Sequence, residues 1–282
     1  MDSGTGEHAT RSASVLPLRL ATAAVGLPVL AVCVALGGVP LLIITSAAVF
    51  LAIWELRRLL SRFGRVLWPL SALGSGAFLF SAHSGDTSAM LIALTAIGTG
   101  SLGAALFAFR TGSWDGARSW AATVAAAGYP GALLASGFAL RNGPDGLMWL
   151  SYAIAVAFAS DTAAYVIGRR FGRHRLAPAL SPGKTWEGAA AGVGGAVLVS
   201  AALVWILDLD GLPLLTAIAL GAALSVLGQI GDLGESRLKR FAGVKDSGVL
   251  LPGHGGVLDR LDSLIVIIPA VFLYASTITT ME

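Results

Sequence analysis

Between Lys245 and Ser263 the sequence reads KDSGVLLPGHGGVLDRLDS, and the spacing of its acids is chemically pointed. Asp259 and Asp262 lie three residues apart, so a helix beginning near Leu258 carries both on one face and turns Arg260 aside. Two carboxylates that close repel one another unless a proton or a metal intervenes, and a hard cation such as Mg2+ prefers carboxylate oxygen. The competing reading is a helix cap, since the dipole favours negative charge at a helix N-terminus. One aspartate would fit that reading; the pair beside PGHGG fits a divalent site better. Gly253, Gly255 and Gly256 surround His254 just before the helix start, where bare backbone N–H groups can approach an anion. With Lys239, Arg240, Lys245 and Arg260 close in sequence, a phosphate site accounts for this turn better than a plain bend does. His254 itself fits three roles equally: phosphate ligand, proton donor to a leaving group, or structural hydrogen-bonder.

Two further polar groups interrupt apolar sequence. In GDLGESRLKR, Gly231 to Arg240, a continuing helix points Asp232, Glu235 and Ser236 the same way. Juxtamembrane charge explains the basic residues there, but a carboxylate at the edge of an apolar span is costly unless paired or bound to a cation. Asp232 therefore joins Asp259 and Asp262 as a candidate metal ligand. In LSPGKTWEG, Leu180 to Gly188, the GKT ending is that of a P-loop, but that motif needs a preceding strand and a glycine where Pro178 stands, so the P-loop reading is set aside. What survives is Ser181, Lys184 and Thr185, able to contact phosphate or ribose, with Glu187 at the next helix start. Asp161 lies about 12 Å of helix below the arginines that end its own apolar run. A carboxylate at that depth is either a functional residue or the partner of a basic side chain from another span.

The elements that position these groups follow from composition. Of 282 residues, 55% are hydrophobic and 12% charged, and the mean hydropathy is +0.78, which places the chain outside the water-soluble class. We expect an all-α, polytopic membrane bundle of nine spans near 18–37, 39–60, 67–83, 88–109, 119–140, 146–168, 187–207, 213–233 and 263–280. The first span could be a signal-peptide core, but the topology works best with it retained. With the N-terminus cytoplasmic, every Lys and Arg of the 19 except Arg141 falls in an inner segment, the bias expected of retained cytoplasmic loops. The same orientation puts the polar groups on the cytoplasmic side and the C-terminus outside. Three regions are expected: a polar, disordered tail over 1–17, N-terminal membrane helices over 18–140, and a C-terminal catalytic region over 141–282. Cys33 is the only cysteine, so no intrachain disulfide can form. The Gly188 and Gly192 GxxxG pair suits close helix packing within the chain first and a homodimer seam second. No basic tail or patch points to nucleic acid.

The run SRLKRFAGVKDSGVLLPGHGGVLDRLD, Ser236 to Asp262, resembles the signature of the phosphatidate cytidylyltransferase (CDP-diacylglycerol synthase) family. The matching elements are a Ser, a Lys-Arg pair, a Lys-Asp pair, the Gly-His-Gly-Gly turn and Asp-Arg-x-Asp, in unbroken order. SDTAAYVIGRRFG and LSPGKTWEG extend the resemblance over roughly residues 150 to 265. It implies joining of CTP to phosphatidate with Mg2+, giving CDP-diacylglycerol and pyrophosphate, at the cytoplasmic face of the inner (cell) membrane. By resemblance Asp232, Asp259 and Asp262 are the metal carboxylates. Lys239, Arg240, Lys245, Asp246, His254 and Arg260 then make the catalytic phosphate site. Asp161, Ser181, Lys184, Thr185, Glu187, Ser236, Gly253, Gly255 and Gly256 are the expected substrate contacts. Two rivals remain: a cytidylyltransferase for another lipid phosphate, and a cation-coupled transporter using the same aspartates as an ion path. Carboxylates gathered at one face beside glycine-rich turns favour chemistry over transport.

Overall fold

The computed structural model describes residues 24–86, 88–207, 209, 212–250 and 255–279. The expected tail over 1–17 and the start of the first span lie outside the described residues. The chain begins with helices α1 (Ala24–Leu36), α2 (Gly38–Leu59), α3 (Trp68–Ser84), α4 (Ser88–Thr111) and α5 (Asp115–Asn142). It continues through α6 (Gly146–Phe171), a hairpin of β1 (Arg175–Ala177) and β2 (Ser181–Thr185), then α7 (Trp186–Leu207) and α8 (Leu214–Ala242). A single turn, α9 (Leu258–Leu261), leads into α10 (Leu264–Thr279). Apart from α9, the helices among the described residues correspond one for one to the nine expected spans. Six of them, α2, α4, α5, α6, α7 and α8, are long and apolar enough to cross a membrane.

Glycine sets how closely the C-terminal helices approach. A Cβ on Gly188 would stand 2.7 Å from the carbonyl oxygen of Ala164, and one on Gly195 would stand 3.0 Å from that of Ala159. The GxxxG face of α7 is thus spent against α6 within the chain, the first of its two expected uses. Along α8, a Cβ on Gly231 would meet the backbone oxygen of Asp262 at 2.6 Å. Small residues here let the start of α10 lie directly on α8. Ile267, Val271, Leu224, Tyr152 and Phe138 fill the core between these helices and α5.

Two features were not legible as spans. Within α5 the backbone widens to a π segment over Gly128–Ala132 around Pro130, which has no N–H to give. Ser75 of α3 donates to the Ala127 carbonyl beside this segment at 2.9 Å. The loop after α6 folds into the β1–β2 hairpin, with Arg175 paired to Thr185 and Ala177 to Ser181. Three- and five-residue strands carry too little periodicity to register in the sequence.

Candidate active site

α8 outlasts the apolar run by about two turns, and its polar face lies at the end where the hairpin, the 243–250 segment and the start of α9 contact it. Lys239 is buried on that face, its Nζ held between Glu235 Oε1 at 3.1 Å and Asp259 Oδ1 at 2.6 Å. The other oxygen of Asp259, Oδ2, accepts the Ser247 N–H, the Ser247 hydroxyl and the Gly256 N–H, each at 2.9 Å. Burial pushes the Asp259 carboxyl up, but hydrogen bonds from Lys239, Gly256 and Ser247 outweigh it and hold the group below the usual carboxylate range. Asp259 is therefore a clasp: it closes the loop on itself and ties it to α8.

The clasp has a second half from the other end of the chain. Glu55, 1% exposed in α2, accepts the Val257 N–H through Oε1 at 2.9 Å. Its Oε2 accepts the Leu258 N–H at 2.9 Å and the Ser247 hydroxyl at 2.8 Å. A Cβ on Gly248 or on Gly256 would fall 2.5 Å from this carboxylate, which explains glycine at both positions. Gly255 adopts φ +82, a left-handed conformation that costs glycine little. Sequence reasoning missed Glu55. A lone acid inside the apolar run AIWEL was the available signal, because such a group needs partners.

A second cluster lies beside the first. Asp232 pairs with Lys184 of β2, and the Ser236 hydroxyl donates to Asp232 at a long 3.4 Å. Ser263, also missed in the sequence, donates its hydroxyl to Asp161 Oδ2 at 3.1 Å and its N–H to Asp262 Oδ1 at 2.8 Å. Burial first, then the charge of Asp232 and more weakly that of Asp161, push the Asp262 carboxyl up to about 7. Three carboxylates thus lie near one another, with Lys184 paired to Asp232.

Several sequence-predicted residues serve the architecture. The Gly256, Val257 and Leu258 N–H groups are taken by Asp259 and Glu55. At the Gly256 end of the expected anion-binding turn, these donors are engaged by carboxylates. Thr185 Oγ1 accepts the Gly188 N–H at 3.1 Å and caps α7. Glu187 accepts the Arg173 N–H at 3.1 Å and contacts His174 Nδ1 at 2.6 Å, closing the base of the hairpin. Arg240 donates to the Leu180 carbonyl at 3.2 Å and joins the hairpin to α8. Ser181 is half-buried beside it, while Lys245, Asp246 and Arg260 are exposed. Gly253 and His254 lie outside the described residues.

The expected ligand set of Asp232, Asp259 and Asp262 also changes. Asp259 has both oxygens engaged, and among the described residues no three acidic, His or Cys side chains converge as ligands. The donor chemistry around Asp262 still fits a hard cation. Burial first and then the nearby charge of Asp232 raise the Asp262 carboxyl, and Asp232 and Asp161 offer further oxygens.

The model of the cytidylyltransferase family matches residues 17–278. The chain is 44% identical over 125 residues to the phosphatidate cytidylyltransferase of Staphylococcus haemolyticus (strain JCSC1435), covering 44% of this chain and 48% of that protein. It is 42% identical over 125 residues to those of Staphylococcus aureus (strain COL) and Staphylococcus epidermidis (strain ATCC 12228 / FDA PCI 1200), with the same coverage. The chain spans about half the length of the curated relatives it matches.

Proposed function

The chain belongs to the cytidylyltransferase family, and from that premise we propose that it transfers the cytidylyl group of CTP to phosphatidate, forming CDP-diacylglycerol and pyrophosphate. One observation carries this reading. A pocket of three carboxylates with Lys184, and Lys239 beside it, sits at one end of a bundle whose helices are apolar enough to cross a bilayer. A lipid headgroup and a water-soluble nucleotide can meet only at such a place.

In the reaction a phosphatidate phosphate oxygen forms a bond to the α-phosphorus of CTP, and the bond from that phosphorus to the bridging oxygen of pyrophosphate breaks. Phosphatidate is already an anion, so no dedicated general base is needed. The barrier lies in bringing negative charges together, and fixed cations lower it. Lys184 and Arg240 bridge hairpin and α8 through Asp232 and the Leu180 carbonyl, and there they can draw in the triphosphate. The Lys239–Asp259 pair and Glu55 hold the turn of α9 that carries the exposed Arg260. Asp232 and Asp262, with Asp161 behind them, would hold Mg2+, which supplies charge neutralisation at the phosphates when bound. The basic loops support a site on the cytoplasmic face of the inner membrane.

The test is incubation of the purified protein with CTP labelled in its base, Mg2+ and phosphatidate. A cytidine-bearing, lipid-soluble product that depends on all three supports the reading; labelled CTP remaining wholly aqueous contradicts it.

A further inference from the structure

Away from the carboxylate pocket, a cavity of about 720 Å3 opens where α2 ends and α3 begins, lined by Arg57, Arg58, Arg65, Leu67, Trp68 and Pro69 among others. Arg57 and Arg58 belong to the last turn of α2, where cations offset the helix dipole. Arg65 does not; it enters from the connecting turn and lines the same space. Among the described residues none of the three has a carboxylate at ion-pair distance. Three guanidinium groups around one cavity repel one another, and an anion with several oxygens relieves that repulsion by accepting their planar donor forks.

The other half of the lining narrows the class of anion. Trp68 stacks edge-on against Phe50, with centroids 6.2 Å apart, and both are exposed. Arg57 lies over the ring of Trp54, 4.1 Å from its centroid. Exposed aromatic rings below a ring of arginines, at the end of a membrane-length helix, match the boundary between headgroups and acyl chains. An inorganic anion would have no use for that apolar floor. The cavity also touches the catalytic machinery indirectly. Arg57 follows Glu55 by two residues, and Arg62 donates to the Phe241 carbonyl at the end of α8 at 3.1 Å.

We propose that the Arg57, Arg58 and Arg65 cavity is a second lipid site that binds the phosphate headgroup of an anionic glycerophospholipid, with its acyl chains along Trp68 and Phe50. The site is separate from the carboxylate pocket, and it presents positive charge to a ligand that need not react.

The test reads binding without turnover, so it stands apart from the proposed reaction. The full chain is reconstituted in phosphatidylcholine vesicles with increasing mole fractions of phosphatidylglycerol brominated on its acyl chains, and tryptophan emission is recorded. Saturable quenching beyond that given by brominated phosphatidylcholine is expected, and it should disappear when Trp54 and Trp68 are both replaced by Phe. Each of Arg57→Gln, Arg58→Gln and Arg65→Gln should raise the half-saturating mole fraction about fivefold. Arg110→Gln, a basic residue at the end of another helix, should leave it unchanged. Equal quenching by the two lipids, or an unaltered curve for the triple arginine variant, would overturn the site. Displacement of the lipid by millimolar inorganic phosphate would overturn the lipid assignment in favour of a free anion.

Discussion

Glu55 accepts the backbone N–H of Val257 at 2.9 Å across 202 residues of sequence. A carboxylate of the second helix thereby sets the start of the short helix that carries Asp259 and ends at Asp262. Replacement by Gln keeps the volume but sets an amide N–H2 against N–H and O–H donors. Loss of a charge-assisted hydrogen bond of this kind costs about 1.5–3 kcal/mol. Glu55→Gln should reduce turnover roughly 10- to 100-fold and speed hydrogen exchange at Val257 and Leu258. Unchanged exchange at those amides would remove Glu55 from the clasp.

Asp259 and Asp262 should fail differently. Asp262→Asn removes charge from the carboxylate pocket, so the divalent-ion concentration for half-maximal activity should rise and turnover should fall by about 100-fold or more. Asp259→Asn breaks the Lys239 pair and frees the loop, so turnover should fall comparably with little change in ion dependence. Identical metal titrations for the two variants would contradict the division of roles.

Lys184 neutralises Asp232 where a cation would bind. Lys184→Gln should therefore lower the Mg2+ concentration needed for half-activation while weakening the apparent affinity for CTP. A variant that shifts neither quantity would place Lys184 outside the site.

In chelator, stability should fall as pH rises. The Asp262 carboxyl is held at about 7 in the fold against 3.8 ordinarily, so between those values the folded chain binds the extra proton and each rise in pH favours unfolding. The trend should be strongest from pH 5 to 7, and Asp262→Asn should flatten it. Thermal unfolding in detergent across that range checks the sign, and an increase in stability would refute it.

Nine apolar segments were legible because a bilayer demands length and hydrophobicity in contiguous sequence. Asp161, Asp232 and Asp262 were legible for the opposite reason, since each is an acid against an apolar background. Glu55 carries the same signal, but its partners lie some 200 residues away and leave no local spacing to read. Gly231 gave no signal in the sequence, although its missing side chain is what lets Asp262 approach α8. The aspartates at 259 and 262 lie three residues apart yet have different partners, because Lys239 and Ser247 hydrogen-bond only to the first. Sequence separation set that pair apart from the apolar runs; only folding could assign the two different neighbours.

The most direct measurement follows two labels on CTP. Purified protein with Mg2+ and phosphatidate is given CTP carrying radiophosphorus at either the α or the γ position, and lipid and aqueous phases are counted. The account predicts α-label in the lipid, γ-label in aqueous pyrophosphate, and one pyrophosphate per lipid formed. Transfer of γ-label to lipid, or α-label remaining wholly in the aqueous phase, would contradict it.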